Sequence, residues 1–172
     1  EHKNIGVLLK AFSRPELAES KLVLFGSTGR DDFISAGYEV PANIIFAGRV
    51  SDGELRALIE GAIALAFPST TEGFGLPPLE AMLLGTPAVC APCGALPEVC
   101  GEAALYADPG KPDEWASAIA GLAQDAEAHA RIAEAGRVHA STFTWRKAAL
   151  RMLEILDTLE TKMPPSQPAF SE

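Results

Sequence analysis

Five short apolar runs separated by stretches of helical spacing constrain this chain more than any other feature of it. They are Lys21–Phe25, Asn43–Ala47, Ala62–Phe67, Ala88–Ala91 and Ala103–Ala107. Each is too short for a buried helix, and each is followed within two residues by glycine or proline, so all five read as strands. Strands that alternate with helices need crossover connections, and those connections predict an α/β fold: a parallel sheet with helices on both faces. In such a sheet a ligand is held outside the carboxyl ends of the strands.

Between the runs, Ile5, Leu8, Leu9 and Phe12 have the spacing of a helix that Asn4 is placed to cap. A domain of this pattern ordinarily starts on a strand, so a preceding first strand is expected outside this sequence. A weakly helical piece ends near Gly37. Ser51-Asp52-Gly53-Glu54 fits a capping box, opening a helix that buries Leu55, Leu58 and Ile59. After Pro112 the pattern turns wholly helical, as a C-terminal extension: Asp113–Gln124 with Trp115, Ile119 and Leu122 on one face, Ala126–Ala140, and Trp145–Leu159. Trp115 and Trp145 are expected to be packing anchors, and His129 and His139 surface residues outside any catalytic role. The length of 172 residues suits one domain over 1–160, with the proline-rich 161–172 as a disordered tail.

The net charge of −9 argues against a broad grip on nucleic acid or anionic lipid. No run of about 18 apolar residues predicts a membrane-spanning helix, so direct membrane insertion is not expected and the default compartment is cytoplasmic. Cys90, Cys93 and Cys100 cannot pair completely. The spacing Cys90-Ala-Pro-Cys93 is a weak redox or zinc signal without a second pair, and buried reduced thiols are the preferred reading, with no metal or cofactor.

The chemistry concentrates in Thr70-Thr71-Glu72-Gly73-Phe74-Gly75-Leu76-Pro77-Pro78-Leu79-Glu80. A strand ends just before it and a proline-started helix begins inside it, running to Gly85. Gly73 and Gly75 let backbone N–H groups approach a ligand closely, and a helix start favours an anion such as phosphate. Glu72 and Glu80 bracket the turn and can face one crevice, where a carboxylate accepts sugar hydroxyls well. Each also has a plain structural reading, Glu72 as a surface loop residue and Glu80 as a solvated helix position.

Glu72-Gly-Phe-Gly-Leu-Pro-Pro-Leu-Glu80 resembles the E-x7-E motif of the retaining GT-B glycosyltransferases. The wider sequence resembles their group-1 family, also called family 4. The resemblance is carried by His2-Lys3-Asn4, by Phe46-Ala-Gly-Arg-Val50 before Ser51-Asp52, and by Gly85-Thr86-Pro87-Ala88-Val89. Leu96-Pro97-Glu98-Val99, Gly101-Glu102-Ala103-Ala104 and Phe143-Thr144-Trp145 continue it, so that it covers roughly Lys3 to Leu159. It implies one half of a GT-B fold: the Rossmann-like C-terminal domain that binds a nucleotide-sugar donor, facing an N-terminal acceptor domain that this sequence lacks.

Position by position, the resemblance gives Glu80 the ribose hydroxyls, Glu72 hydroxyls of the transferred sugar, and Lys3 the diphosphate. The amides of Gly73, Phe74, Gly75 and Leu76 would line sugar and diphosphate, and Phe74 either packs on the sugar or plugs the turn against the core. Lys3 and Glu72 are the residues given to catalysis, through charge and orientation rather than nucleophilic attack. Base recognition would fall to the loop holding Arg49, Val50 and Asp52. Asp52 reads first as an acid favoured in a helix's first turn and second as an acceptor from guanine; Arg49 is open between phosphate contact and a solvated charge. The implied activity is hexose transfer, mannose favoured, from a nucleoside diphosphate sugar, with GDP-mannose preferred and a UDP-sugar as alternative. Without the acceptor half the fragment is expected to bind but not turn over. A stand-alone nucleotide-binding or regulatory module without catalysis is the rival reading.

Overall fold

The computed structural model describes residues 2–162. They fall into two compact units divided between Ala140 and Ser141. In the first unit, α1 (Ile5–Ala11) leads to β1 (Leu22–Phe25), α2 (Arg30–Ser35), β2 (Ile44–Gly48) and α3 (Asp52–Glu60). It continues with β3 (Leu65–Phe67), α4 (Leu76–Leu83), β4 (Ala88–Cys90), α5 (Leu96–Cys100) and β5 (Leu105–Tyr106), and ends on α6 (Pro112–Gln124) and α7 (Ala126–Ala140). The second unit holds α8 (Trp145–Lys162). Among the described residues no helix is long and apolar enough to cross a membrane.

Every strand pair is parallel, as the alternating pattern requires. The expected single sheet is divided, however, because β1 pairs with β2 while β3, β4 and β5 form a separate ladder. β4 is buried along its whole length, which is what a parallel strand covered on both faces demands. β5 is shorter than the predicted run, since Gly101–Ala103 is taken up by a 3-10 turn.

Two apolar clusters hold this unit. In one, Leu8, Leu9 and Phe12 of α1 pack with Leu17, Trp115 and Ile119; in the other, Phe67, Leu79 and Met82 pack with Leu96, Val99 and Cys100. Trp115 is fully buried, as its helical spacing predicts, and its Nε1–H donates to Asp108 O at 2.9 Å. Gly136 brings α7 close to α4: a Cβ there would meet Met82 Cγ at 3.0 Å. Asn43 ties the loop before β2 to the loop after α1, its Nδ2 donating to the carbonyls of Phe12, Leu17 and Ser20, each at 3.1 Å.

The capping box of α3 forms as read from the sequence, Ser51 N–H donating to Glu54 Oε2 at 2.8 Å and Glu54 N–H to Ser51 Oγ at 3.4 Å. That helix buries Ile59 but only half-buries Leu55 and Leu58. Asn4 precedes α1 without capping it. Its backbone is left-handed (φ 50°) and its Nδ2 instead donates to Pro109 O at 2.8 Å. His129 and His139 are half-buried rather than superficial, their ring nitrogens bonded to Ile63 O at 2.9 Å and Val99 O at 2.8 Å. Trp145 is 91% exposed and anchors nothing, because its unit offers α8 no other helix or strand to bury against among the described residues. α8 runs to Lys162, and the tail expected over 161–172 lies from residue 163 outside the described residues. Cys90 and Cys100 are buried free thiols and Cys93 is half-buried.

Because Trp115 fills the space among α1, the Leu17 turn and α6, truncating it leaves a cavity. Trp115→Ala is expected to lower the unfolding free energy by about 3–5 kcal/mol, read from urea denaturation followed by far-ultraviolet circular dichroism.

Candidate functional site

The turn after β3 is assembled from three segments distant in sequence. Ser69, only 1% exposed, places its Oγ 3.2 Å from His2 O and 3.3 Å from Thr71 O. Thr70 N–H donates to the same His2 carbonyl at 2.9 Å, and Thr70 Oγ1 lies 3.3 Å from it. Fastening His2 here brings Lys3 over the turn. Lys3 Nζ donates to Glu72 Oε1 at 2.8 Å and stands 5.3 Å from the Phe67 ring centroid, a position in which the ring face adds to the attraction for the ammonium.

The third segment is the loop after β4. Ala95 N–H donates to Glu72 O at 3.3 Å. Gly94, with φ +58°, approaches so closely that a Cβ on it would stand 2.7 Å from Glu72 O and 3.0 Å from Glu72 N. The Leu96 side chain closes against Gly75, where a Cβ would meet Leu96 Cδ2 at 2.6 Å and where φ is +99°. Both positions need glycine for conformation and for space. Nothing in the local sequence marks Gly94 or Ser69 as parts of this site. Only the pairing of the strand ends reveals them, Gly94 through its backbone contact and Ser69 as a buried hydroxyl.

The Glu72 carboxylate is 17% exposed and Lys3 54%. Its pKa lies below the ordinary carboxylate value, chiefly through the Lys3 hydrogen bond and next through the Ser69 hydroxyl, with burial opposing. Thus Glu72 stays ionised and pre-positioned, while Lys3 keeps enough freedom to turn toward another anion. Gly73 is open, with nothing within 4 Å of where a Cβ would stand, and the amides of Gly73 and Gly75 have no acceptor among the described residues. Phe74 is 44% exposed, so it does not plug the turn against the core.

α4 begins at Leu76 after Gly75, with proline in its first turn. Of the first four backbone positions, Pro77 and Pro78 carry no N–H. The helix start therefore offers an anion its dipole and few donors, and directional hydrogen bonds have to come from Gly73 to Leu76. Glu80 lies one turn into α4, exposed, its carbonyl accepting from Leu84 N–H at 3.1 Å while its carboxylate makes no hydrogen bond or ion pair among the described residues.

The structure thus joins Lys3, Glu72 and the Gly73–Leu76 turn, with Glu80 on the adjoining helix. Arg49 and Val50 follow the carboxyl end of β2, and Asp52 opens α3. No hydrogen bond or ion pair among the described residues joins these three to the β3 turn. Asp52 occupies the first helical turn, where the dipole favours an acid.

Comparison with known proteins follows the same outline. The family described as "Glycosyl transferases group 1" matches residues 1–139. The O-antigen chain mannosyltransferase B of Escherichia coli is 40% identical over 111 residues, 64% of this chain and 29% of its own. The O-antigen chain mannosyltransferase RfbU of Salmonella typhimurium is 33% identical over 137 residues, 76% of this chain and 38% of its own. Against these curated relatives the chain spans about a third of their length. Among solved structures, Anabaena Alr3699/HepE in complex with UDP-glucose superposes with a TM-score of 0.75 at 24% identity, covering 91% of this chain and 46% of that one. The fold is that of one half of a GT-B glycosyltransferase.

Glu72 offers a test of the site's electrostatics. Its native pKa is depressed, so the stability it contributes is fully present above the ordinary value of 4.5 and is lost as pH falls through the lowered native value. The stability difference between the natural protein and Glu72→Gln is expected to shrink below pH 4.5, as measured by urea midpoints; a difference unchanged on acidification would remove the Lys3–Glu72 pair from the account. Gly94→Ala is expected to cost about 1–2 kcal/mol from the left-handed backbone alone, with more added by the clash on Glu72, which thermal unfolding would register.

Proposed function

Belonging as it does to the group 1 glycosyl transferases, this chain is, we propose, the donor-binding domain of a retaining glycosyltransferase that moves a hexose from a nucleoside diphosphate sugar to an acceptor hydroxyl. The Lys3–Glu72 ion pair at the carboxyl end of β3 carries this reading. An exposed cation, an ionised carboxylate and the amides of Gly73 and Gly75 meet there, the groups a sugar diphosphate needs.

In this proposal the free site is a held charge pair that a ligand rearranges. An arriving diphosphate competes with Glu72 for Lys3, and the ammonium turns to it together with the amides of the Gly73–Leu76 turn. Those groups then stabilise the negative charge that collects on the leaving diphosphate as the glycosidic bond breaks. Glu72, released from its cation, keeps its backbone fixed by Gly94 and Ala95 and accepts hydroxyls of the transferred sugar. It orients the sugar and forms no covalent bond to it. Glu80 takes the ribose hydroxyls, and Arg49, Val50 and Asp52 border the base.

The donor favoured is GDP-mannose, supported by the mannosyl-transferring relatives, with a UDP-sugar as the alternative, supported by the neighbour solved with UDP-glucose. Turnover belongs to the protein joined with an acceptor domain, which we place in the cytoplasm.

Calorimetric titration of GDP, UDP, ADP and their sugars into the folded chain tests the reading. One of the three nucleotides is expected to bind, with Glu80→Ala weakening it by roughly 1–3 kcal/mol, the range for a charge-assisted hydrogen bond. Lys3→Ala should weaken the diphosphate and leave the free nucleoside unaffected. If the folded protein binds none of them, the proposal fails.

A further inference from the structure

Lys3 owes its place to the residues on either side of it. On one side the His2 carbonyl hangs from the end of β3, accepting Thr70 N–H at 2.9 Å, with Ser69 Oγ at 3.2 Å. On the other side stands half-buried Asn4. With φ 50° and ψ 35° it is, among the described residues, the one non-glycine in the left-handed region. A residue leading into a helix ordinarily takes an extended backbone and spends its side chain on the first free amides. Asn4 does neither, and its side chain makes no cap bond.

Its Nδ2 donates instead to Pro109 O at 2.8 Å, and that carbonyl sits on a loop fastened to α6. Asp108 N–H donates to Glu114 Oε2 at 2.9 Å, and Asp108 O accepts Trp115 Nε1–H at 2.9 Å. Gly110 N–H closes the loop on Asp108 Oδ1 at 2.7 Å. The α1 helix needs no help from the Asn4 bond, because Leu8, Leu9 and Phe12 already pack it with Trp115 and Ile119. What the bond fixes is therefore the chain before the helix. Asparagine meets both demands: its short polar side chain tolerates the left-handed backbone, and its amide supplies a donor that glycine lacks.

We infer that Asn4 is a positioning residue, which through its left-handed turn and its bond to Pro109 aims Lys3 across the end of β3 and so sets the Lys3–Glu72 ion pair. With His2 and Asn4 both held, the Lys3 side chain, 54% exposed, swings from a stationary root. Its ammonium reaches Glu72 Oε1 at 2.8 Å and can leave for another anion without the backbone moving. The bearing of Asn4 on a sugar diphosphate rests on the function proposed above; its hold on the ion pair does not.

The titration of the Glu72 carboxyl, followed by side-chain NMR without any nucleotide, decides the inference. Asn4→Gly keeps the left-handed turn and removes the tether, and Asn4→Ala removes both. Each is expected to move the Glu72 midpoint upward, toward 4.5 but short of it, because Ser69 and His2 also lower it. In a Lys3→Ala background, Asn4→Gly should produce no further shift, as for two residues acting through one interaction. A Glu72 titration unchanged by both single substitutions would overturn the inference, even if the variants unfold more easily. A further shift in the Lys3→Ala background would overturn it as well. For the diphosphate, Asn4→Gly is expected to raise the dissociation constant by roughly three- to tenfold and leave the free nucleoside unaffected, the mark of lost preorganisation; an unchanged constant would remove Asn4 from donor binding. If the natural protein binds no nucleotide, the proposed function falls while the Glu72 titration still decides whether Asn4 sets the pair.

Discussion

The site depends on a backbone contact more than on any side chain. Gly94 presses its Cα face against the peptide of Glu72, and the adjacent Ala95 N–H holds the Glu72 carbonyl. That support is itself fixed by β4, a strand buried along its whole length, just after which Ala91 N–H bonds to Phe67 O at 3.1 Å. Through this chain of contacts, core packing reaches a surface turn. Glu72, its carboxylate 17% exposed, is thereby held in place at the surface through its backbone.

Charge then does what packing cannot. Lys3 and Glu72 are brought together by the His2 carbonyl, which gathers Ser69 and Thr70 beneath it. A lone carboxylate beside the turn proposed to take the diphosphate would repel it, and a lone lysine would be held in no one place. Paired, each keeps the other oriented, and the pair costs little to part because Lys3 is more than half exposed.

Much of this was legible in the sequence, and the part that was not has a physical reason. The positions of the strands, the capping box at Ser51 and Glu54, and the buried face of α6 rest on local chemistry and short periods, and they survive folding, although β3 starts only at Leu65 and β5 keeps only Leu105 and Tyr106. The Glu72-to-Glu80 turn was marked by its glycines, prolines and acids standing close together. Gly94 was not, because its need for a bare Cα is set by the backbone of Glu72, which it meets only in space. Asn4 has a cap residue's identity, but the Pro109 carbonyl outcompetes its own helix for the side chain. Trp145 has an anchor's spacing, but spacing reports only which face of a helix is apolar, and not whether anything covers that face. The division of the sheet is of the same kind, since each strand is plain in the sequence while the pairing of their edges is settled only in space.

The prolines that open α4 have an effect beyond the donors they remove. Their rings fix φ in the unfolded chain as well as in the folded one, so that segment surrenders less freedom when the turn forms. An exposed turn gains little from burial and would ordinarily remain loose. Here part of its order is present before folding begins, and the ligand proposed for Gly73 to Leu76 would meet a surface whose entropy of organisation has already been reduced by covalent structure.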